Sequence, residues 1–288
     1  MNFVHRVRTV WSWLPAFRAV AEAEHLPTAA HELGIVPSSV SRTVKQLEDE
    51  LGLSLFDRTS KTLVLNQAGR ILVTAVREAM RIVDDALGAA IGDDLRGNVG
   101  AVASIDLIHA VLIPAAAALA DAHPLLALSA VVAPPAEMVE MLLRGEIDAA
   151  VVAHAPSPHP DLRAIEIATW TRGVYARTPT RGSAEYRSVV VGTPSETPDD
   201  GWPLDRERIV RAWAPDERAA LELCARGDLI TIAYDAVVRA SGFAQRLFKI
   251  ATPEIPSRTL YVLHRRAVGR HRRTEALVDA IRTAAQHE

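Results

Sequence analysis

The sequence predicts three parts: an all-α winged helix-turn-helix domain over residues 1–66, a long linker helix over 67–94, and an α/β domain of two lobes over 97–288. Three observations predict it. Residues 12–66 alternate short helical patterns with turn residues. Residues 67–94 form one apolar-periodic segment without proline. After Gly97-Asn98, short apolar strands alternate with helical patterns, as in βαβ units. A chain of 288 residues, 49% of them hydrophobic, has material for two or three domains with their own cores. No charge-free apolar run of about 18 residues occurs, so no membrane span is expected. The opening MNFVHRVRTVWSW has neither a long apolar stretch nor a small-residue cleavage site, so a secretory leader is not expected. Cys224 is the one cysteine, which suits a reducing, cytoplasmic setting; within LELCARG it reads as a small core residue.

The first domain opens with a helix from Ser12 to Ala23, whose apolar face carries Leu14, Phe17, Val20 and Ala21. A second helix covers about Pro27 to Leu33, and Gly34 follows where a helix end takes a left-handed residue. A third starts near Pro37, a residue tolerated in a first turn, and buries Val40, Val44 and Leu47 at spacings of four and three. Ser38, Ser39, Ser41, Arg42 and Lys45 then lie on its other faces. Helix, glycine-bearing turn, helix is the pattern that places a reading helix in the major groove of double-stranded DNA; a generic helical hairpin is the alternative. Residues 57–65 read as a two-stranded wing with a basic tip. Net charge is −3, so a DNA contact has to be local, and Arg42, Lys45, Arg58 and Lys61 supply the positive potential. Glu48, Asp49 and Glu50 have to point away from the phosphates.

The linker segment spaces Leu72, Val76, Met80, Val83, Leu87 and Ile91 by three or four, with Arg70, Arg77 and Arg81 between them. One apolar seam on a long helix needs a partner. Packing on its own winged domain is one answer and a homodimer or homotetramer the other.

These residues carry a specific resemblance. Ala29-Ala30-x-x-Leu33-x4-Ser38-Ser39-Val40-Ser41-x-x-Val44-x-x-Leu47-Glu48, then Leu51-Gly52-x-x-Leu55-Phe56-Asp57-Arg58 and Leu65-Asn66-x-Ala68-Gly69, resembles the DNA-binding domain of LysR-type transcriptional regulators. Further on, Gly100-Ala101-Val102, Leu112-Ile113-Pro114, Pro124 and Leu143-x-Gly145-Glu146-Ile147-Asp148-Ala149-Ala150-Val151 are similar to the first half of that family's effector domain. The resemblance implies operator binding, a small-molecule effector and dimerisation through the linker helix. There are departures. Val36-Pro37 replaces a usual Ser-Gln, which shifts base reading onto Ser38, Ser41 and Arg42. Pro27 stands where a small hydroxyl residue is usual, so Thr28 takes over a phosphate contact. Residues 227–234 replace a usual Gly-x-Gly-Ile-x-x-Leu-Pro stretch.

In the last zone, strands are expected at Val99–Ala103, Leu126–Val132, Ala149–Val152, Ser188–Val191, Ile209–Ala212, Leu229–Ala233 and Arg258–Leu263. Helices are expected at Leu107–Ala122, Ala136–Arg144, Asp216–Ala225 and Thr274–Ala285. Two lobes follow, about 97–168 with 245–288 and about 169–244. They resemble the periplasmic-binding-protein architecture of LysR-type effector domains. Ligands of open α/β sheets sit beyond the carboxyl ends of the strands, which selects Ser104, Ile105, Ala133 to Pro135, His154, Thr193 and Tyr234. His154 also reads as a plain loop residue. Asp106 argues for a small polar organic ligand rather than a polyanion, unless it caps its own helix and faces away. The basic runs His264–Arg266 and Arg270–Arg273 read as a solvated connection.

An enzyme is not expected: there is no Gly-x-Ser-x-Gly, no phosphate-cradling glycine loop and no completed His-Glu-x-x-His after His31-Glu32. No His/Cys group has metal-ligand spacing, so no metal and no cofactor is expected. The competing regulator is a ligand-independent DNA-binding protein whose C-terminal domain only mediates oligomerisation.

Overall fold

The computed structural model describes residues 3–59, 62–90, 95–179, 186–194, 198–251, 254–266 and 272–286. The chain divides into two compact units, Met1–Gly92 and Asp93–Glu288.

In the first unit, α1 (Phe3–Val10) passes through a 3-10 turn (Trp11–Trp13) into α2 (Leu14–Ala23), α3 (Leu26–Leu33) and α4 (Pro37–Leu51). A hairpin of β1 (Phe56–Thr59) and β2 (Thr62–Leu65) and the long α5 (Gln67–Ala90) complete it. Gly34 and Gly52 end α3 and α4 at φ 65° and 69°, left-handed values that cost a residue with a Cβ about 1 kcal/mol or more. Phe17, Val20, Ala29, Val40, Val44, Leu47 and Leu55 form the core, and Phe56 meets Phe17 edge to face at 5.8 Å.

Asn66 sets where α5 begins. Its side-chain oxygen accepts from the Gly69 N–H at 2.9 Å, and its side-chain amide donates to the Ser54 carbonyl at 2.7 Å. A Cβ on Gly69 would sit 2.2 Å from the Leu55 carbonyl oxygen, so the helix approaches this backbone only because glycine is there. Val73 and Val76 are buried in the winged-domain core, and Leu72 and Met80 pack against it. Val83 and Leu87 are exposed. The expected seam is therefore one stripe divided along its length: its first half packs on its own domain, and its second half does not. Ile91 lies outside the described residues.

The second unit holds two five-stranded sheets. The first is built from β3 (Arg96–Ala103), β4 (Leu125–Val132), β5 (Ala149–Val152), β6 (Leu162–Trp170) and a later strand, β12 (Arg258–Arg265), in the order β4-β3-β5-β12-β6. Helix α6 (Ile105–Leu107), a π-helical turn (Ile108–Leu112), α7 (Ile113–Ala122) and α8 (Pro135–Leu143) lie between these strands in the chain. The Ile113 N–H donates to the Ile108 carbonyl, which is the π-type bond. Pro114 explains it: proline has no N–H and crowds the carbonyl four residues back, so the ladder shifts. The apolar stretch Ile105–Ala122 has mean hydropathy 1.7 and enough length to cross a membrane; here Val111, Leu112, Ala115 and Leu119 are core residues.

The second sheet follows the order β11-β7-β10-β8-β9. Its members are β7 (Arg172–Ala176), β8 (Arg187–Val191), β9 (Ile209–Ala214), β10 (Ile230–Tyr234) and β11 (Phe248–Ile250), with α9 (Glu217–Arg226) and α10 (Asp235–Ala240) between the later strands. α11 (Arg272–Gln286) closes the chain against the first sheet, where the Trp170 indole N–H donates to the Ala285 carbonyl at 2.8 Å. The chain crosses between sheets twice, at Thr171 and between Ile250 and Arg258. The return lies later than the expected boundary near residue 245, because β11 still pairs with β7.

Two substitutions test the first unit. Gly69→Ala gains about 1 kcal/mol of helix propensity but places its methyl on a backbone oxygen. A net loss of about 1–3 kcal/mol is expected from overpacking, read as an earlier unfolding transition in urea. Val76→Asp buries an unpaired charge and is expected to unfold this unit, seen as lost helical circular dichroism.

Candidate functional site

The DNA-reading candidates sit on α3, α4 and the hairpin. Ser38, Ser41, Arg42 and Lys45 are exposed on α4 and Ser39 is half-buried, while Val40, Val44 and Leu47 on the opposite face anchor the helix. No side chain caps α4, since Val36 and Pro37 occupy its start. Its first-turn N–H groups are free of a side-chain acceptor, an arrangement that attracts phosphate. Thr28 is exposed, and its hydroxyl meets His25 Nδ1 at 2.9 Å. Glu48 is turned back onto its own domain: its carboxylate accepts from the Leu55 N–H at 2.7 Å. Arg58 lies on β1 opposite Leu63. The Arg58 side chain and the whole of Lys61 lie outside the described residues.

In the second unit, a cleft of about 240 Å³ is lined by residues that include Ser104, Asp106, Arg172, Glu217, Tyr234 and Arg258. Ser104 follows β3 and Tyr234 ends β10, at carboxyl ends of strands as the topological rule requires. Of the five expected effector contacts, these two line the cleft and Ile105, Ala133 and Thr193 do not. Ile105 is half-buried at the start of α6, Ala133 is buried in the cluster with Met138 and Leu142, and Thr193 is exposed beyond β8. Ala133 follows the edge strand β4, and Thr193 lies beyond β8, which neighbours the edge strand β9, whereas the cleft opens where the chain crosses between sheets. That crossing supplies Arg172 and Arg258, the two cleft residues least visible in the sequence. His154 is exposed just after β5.

Asp106 does not cap its own helix. Its Oδ1 accepts from the Glu217 N–H at 2.8 Å, reaching the start of α9 on the other lobe. Asp216 caps the same helix by accepting from Ala219 N–H at 2.7 Å. Glu217 is buried, and its Oε2 accepts from the Tyr234 N–H at 3.1 Å. Arg172 pairs with Tyr234 across β7 and β10 and lays its guanidinium 5.2 Å from the Tyr234 ring centroid. The Arg172 Nε is buried with no hydrogen-bond partner.

Burial pushes the Asp106 carboxyl up to about 6; the Asp216 charge adds to this, and backbone N–H bonds offset only part. Burial, then the Asp106 charge, push Glu217 up to about 8 against the Arg172 and Arg258 guanidinia. Burial and the Glu217 charge raise the Tyr234 phenol to about 12. Behind the cleft, burial alone would raise Asp235, but hydrogen bonds from Lys249, Tyr175 and Thr171 hold its carboxyl below the usual range and tie the crossing at Thr171 to α10. Of the basic run after β12, Arg273 is buried and Arg266 donates to the Leu162 carbonyl at 2.9 Å; residues 267–271 lie outside the described residues.

Asp106 and Glu217 titrate above their ordinary values of 3.8 and 4.5, so the folded unit holds protons that the unfolded chain has already lost. Their contribution to stability is complete below those ordinary values and is lost as pH rises through about 6 and then about 8. Glu217→Gln removes the larger titration. The difference in thermal midpoint between the variant and wild type is expected to shift in the variant's favour from about pH 5 to about pH 8.5; a difference constant with pH would contradict the burial of a titrating Glu217.

Comparison with known proteins bears on both units. Residues 11–70 match the family model for the bacterial regulatory helix-turn-helix protein, lysR family, and residues 93–286 match the LysR substrate binding domain. A probable hydrogen peroxide-inducible genes activator of Mycobacterium xenopi is 33% identical over 156 residues, covering 54% of this chain and 82% of that protein. The chain spans less of other curated relatives, for example 28% of the ShiR regulator of Corynebacterium glutamicum at 38% identity. Among solved structures, full-length OxyR C199D from Pseudomonas aeruginosa aligns with a TM-score of 0.73 at 20% identity over 95% of both chains. Full-length LysG from Corynebacterium glutamicum with bound effector Arg aligns at 0.65 and 21%, over 99% of this chain and 98% of that one. These two likenesses concern the fold, while the family models match both units by sequence: the chain belongs to the LysR family of bacterial transcriptional regulators.

Proposed function

We propose that the chain is a sequence-specific DNA-binding regulator that reads its operator through α4 and is controlled by a small molecule held between the two lobes. The observation that carries this reading is the face of α4. Ser38, Ser41, Arg42 and Lys45 stand exposed on a helix fixed by three buried apolar residues and followed by a hairpin, while Glu48 is turned back onto the Leu55 N–H. Arg42 is the base reader, Lys45 and Lys61 meet phosphates, and Thr28 and Ser39 position the helix ends. The cleft between the lobes supports an effector rather than a scaffold role, since burying Glu217 and Arg172 and half-burying Asp106 and Arg258 costs stability that packing alone would not require. A peroxide response through an intrachain disulfide is not open to this sequence, which has the single cysteine Cys224.

The regulator acts as a homodimer joined through α5. Ile71, Ile82, Val83 and Leu87 are 68%, 37%, 41% and 60% exposed; Val83 and Leu87 continue the stripe of Leu72, Val76 and Met80 beyond the turns that pack on the protomer's own domain. A two-fold dimer matches operator half-sites spaced by about one helical turn of DNA, roughly 10 base pairs. Leu72, Val76 and Met80 belong to the fold of the protomer rather than to this contact.

Two measurements check these assignments. In quantitative footprinting, Arg42→Ala is expected to cost about 1–3 kcal/mol and relax one operator position, whereas Lys61→Ala weakens all sequences alike and lowers the salt slope by about 1. Unchanged affinity in Arg42→Ala would remove α4 as the reader. Leu87→Asp is expected to keep the helical signal and shift sedimentation from dimer to monomer; a dimer unaffected by it would place the interface elsewhere.

A further inference from the structure

The cleft's charges are unevenly matched. Asp200 is held by Arg208 at 2.6 and 3.0 Å, and Asp199 by Arg258 at 3.2 Å. Setting those pairs aside leaves two carboxylates, Asp106 and Glu217, facing one guanidinium, Arg172. The carboxylates come from different lobes: Asp106 follows β3 in the first sheet, and Glu217 opens α9 beside the second. They meet through the Glu217 N–H, so a group placed between their oxygens touches both lobes at once. Arg172 meanwhile keeps a buried Nε–H with no acceptor. A buried unmatched acid and a buried unmatched donor are costly unless a ligand answers them.

We propose that the cleft takes a zwitterion of the amino-acid class, its ammonium between Asp106 and Glu217 and its carboxylate on Arg172. This rests on the reading of the cleft as the effector site and adds the chemistry of its occupant. A dicarboxylate would place negative charge against the acid pair, and a simple amine would leave the Arg172 donor unanswered. The volume of about 240 Å³ is at the small end of ligand sites and suits a metabolite of this size rather than a nucleotide. Bridging Asp106 and Glu217 favours one lobe arrangement over others, which is the condition for an effector to shift the protein's state. Proton traffic should accompany binding. Glu217 faces Asp106 from α6, Arg172 from β7, Tyr234 from β10 and Arg258 from β12, and Asp106 also faces Asp216; an arriving ammonium stabilises the ionised carboxylates and releases protons near neutral pH.

The test is titration calorimetry on the full chain with three matched panels: the twenty proteinogenic amino acids, the amines left by their decarboxylation, and the corresponding 2-oxo acids. Repeating each binding titration in buffers of different ionisation enthalpy reads the proton count. At least one amino acid is expected to bind at least about tenfold more tightly than its amine or oxo acid, with proton release. Glu217→Gln and Asp106→Asn are expected to weaken it by a similar factor and to diminish that release. An oxo acid or amine that binds as tightly as its amino acid overturns the zwitterion, as does an absence of binding across all three panels. Amino-acid affinity that is indifferent to both carboxylate variants also overturns it. Binding of any panel member that survives Ser104→Trp, which fills the cleft, would instead overturn the cleft as the effector site.

Discussion

The second unit depends on a chain that crosses between its two sheets twice within a small space. A single residue, Thr171, separates β6 from β7, and a short segment joins β11 to β12. Because strands on either side of each crossing are hydrogen-bonded into different sheets, Arg172 and Arg258 are delivered to the junction by backbone geometry, not by loops that can wander. Thr171 is tied to Asp235 through both its hydroxyl and its carbonyl, and Thr169 meets Thr259 across the paired strands. The cleft is thus framed by ladder hydrogen bonds, and its charged lining inherits that rigidity.

A rigid frame makes the buried acids meaningful. In a mobile loop, Asp106 and Glu217 would swing out to water and titrate ordinarily. Here Asp106 accepts from the first N–H of α9, and Glu217 accepts from the N–H of Tyr234 inside the second sheet. Each backbone donor holds a carboxylate in a site whose burial disfavours its charge. The site therefore holds an electrostatic imbalance, and on the proposed reading one ligand spanning both lobes would relieve it and favour one arrangement of the lobes.

The first unit solves a different problem with the same economy of parts. α5 has to pack on a small domain and also carries exposed apolar residues. It divides the work along its length: Leu72, Val73, Val76 and Met80 pack inward over its first turns, Val83 and Leu87 carry the same stripe on past them, exposed, and Ile71 and Ile82 stand exposed on another side of the helix. Gly69 lets the helix start close against the Leu55 carbonyl, and Asn66 fixes its first turn. Among the described residues of this unit no polar or charged side chain is buried, so its core reads plainly as apolar periodicity.

That contrast explains what the sequence by itself determined. Helices α2 to α4, the hairpin, and the strands at Ala149–Val152 and Ser188–Val191 follow from local patterns, because periodic burial, glycine ends and short apolar runs are properties of neighbouring residues. The exposed polar face of α4 was legible for the same reason: three buried residues at helical spacing fix the orientation of the rest. The packed and exposed halves of the α5 stripe were merged in the sequence, since a seam spaced by three and four cannot say which turns meet a core. β6, β7 and β11 carry no clean alternation, as strands that leave one sheet for another change the face they bury. Ser104 and Tyr234 could be selected from strand ends, but Ala133 and Thr193 satisfied the same rule and stand away from the cleft. Arg172, Glu217 and Arg258 came together only in the tertiary structure. They are 45 and 41 residues apart in successive steps along the chain, and only the two crossings and the start of α9 bring their charges within reach of one another.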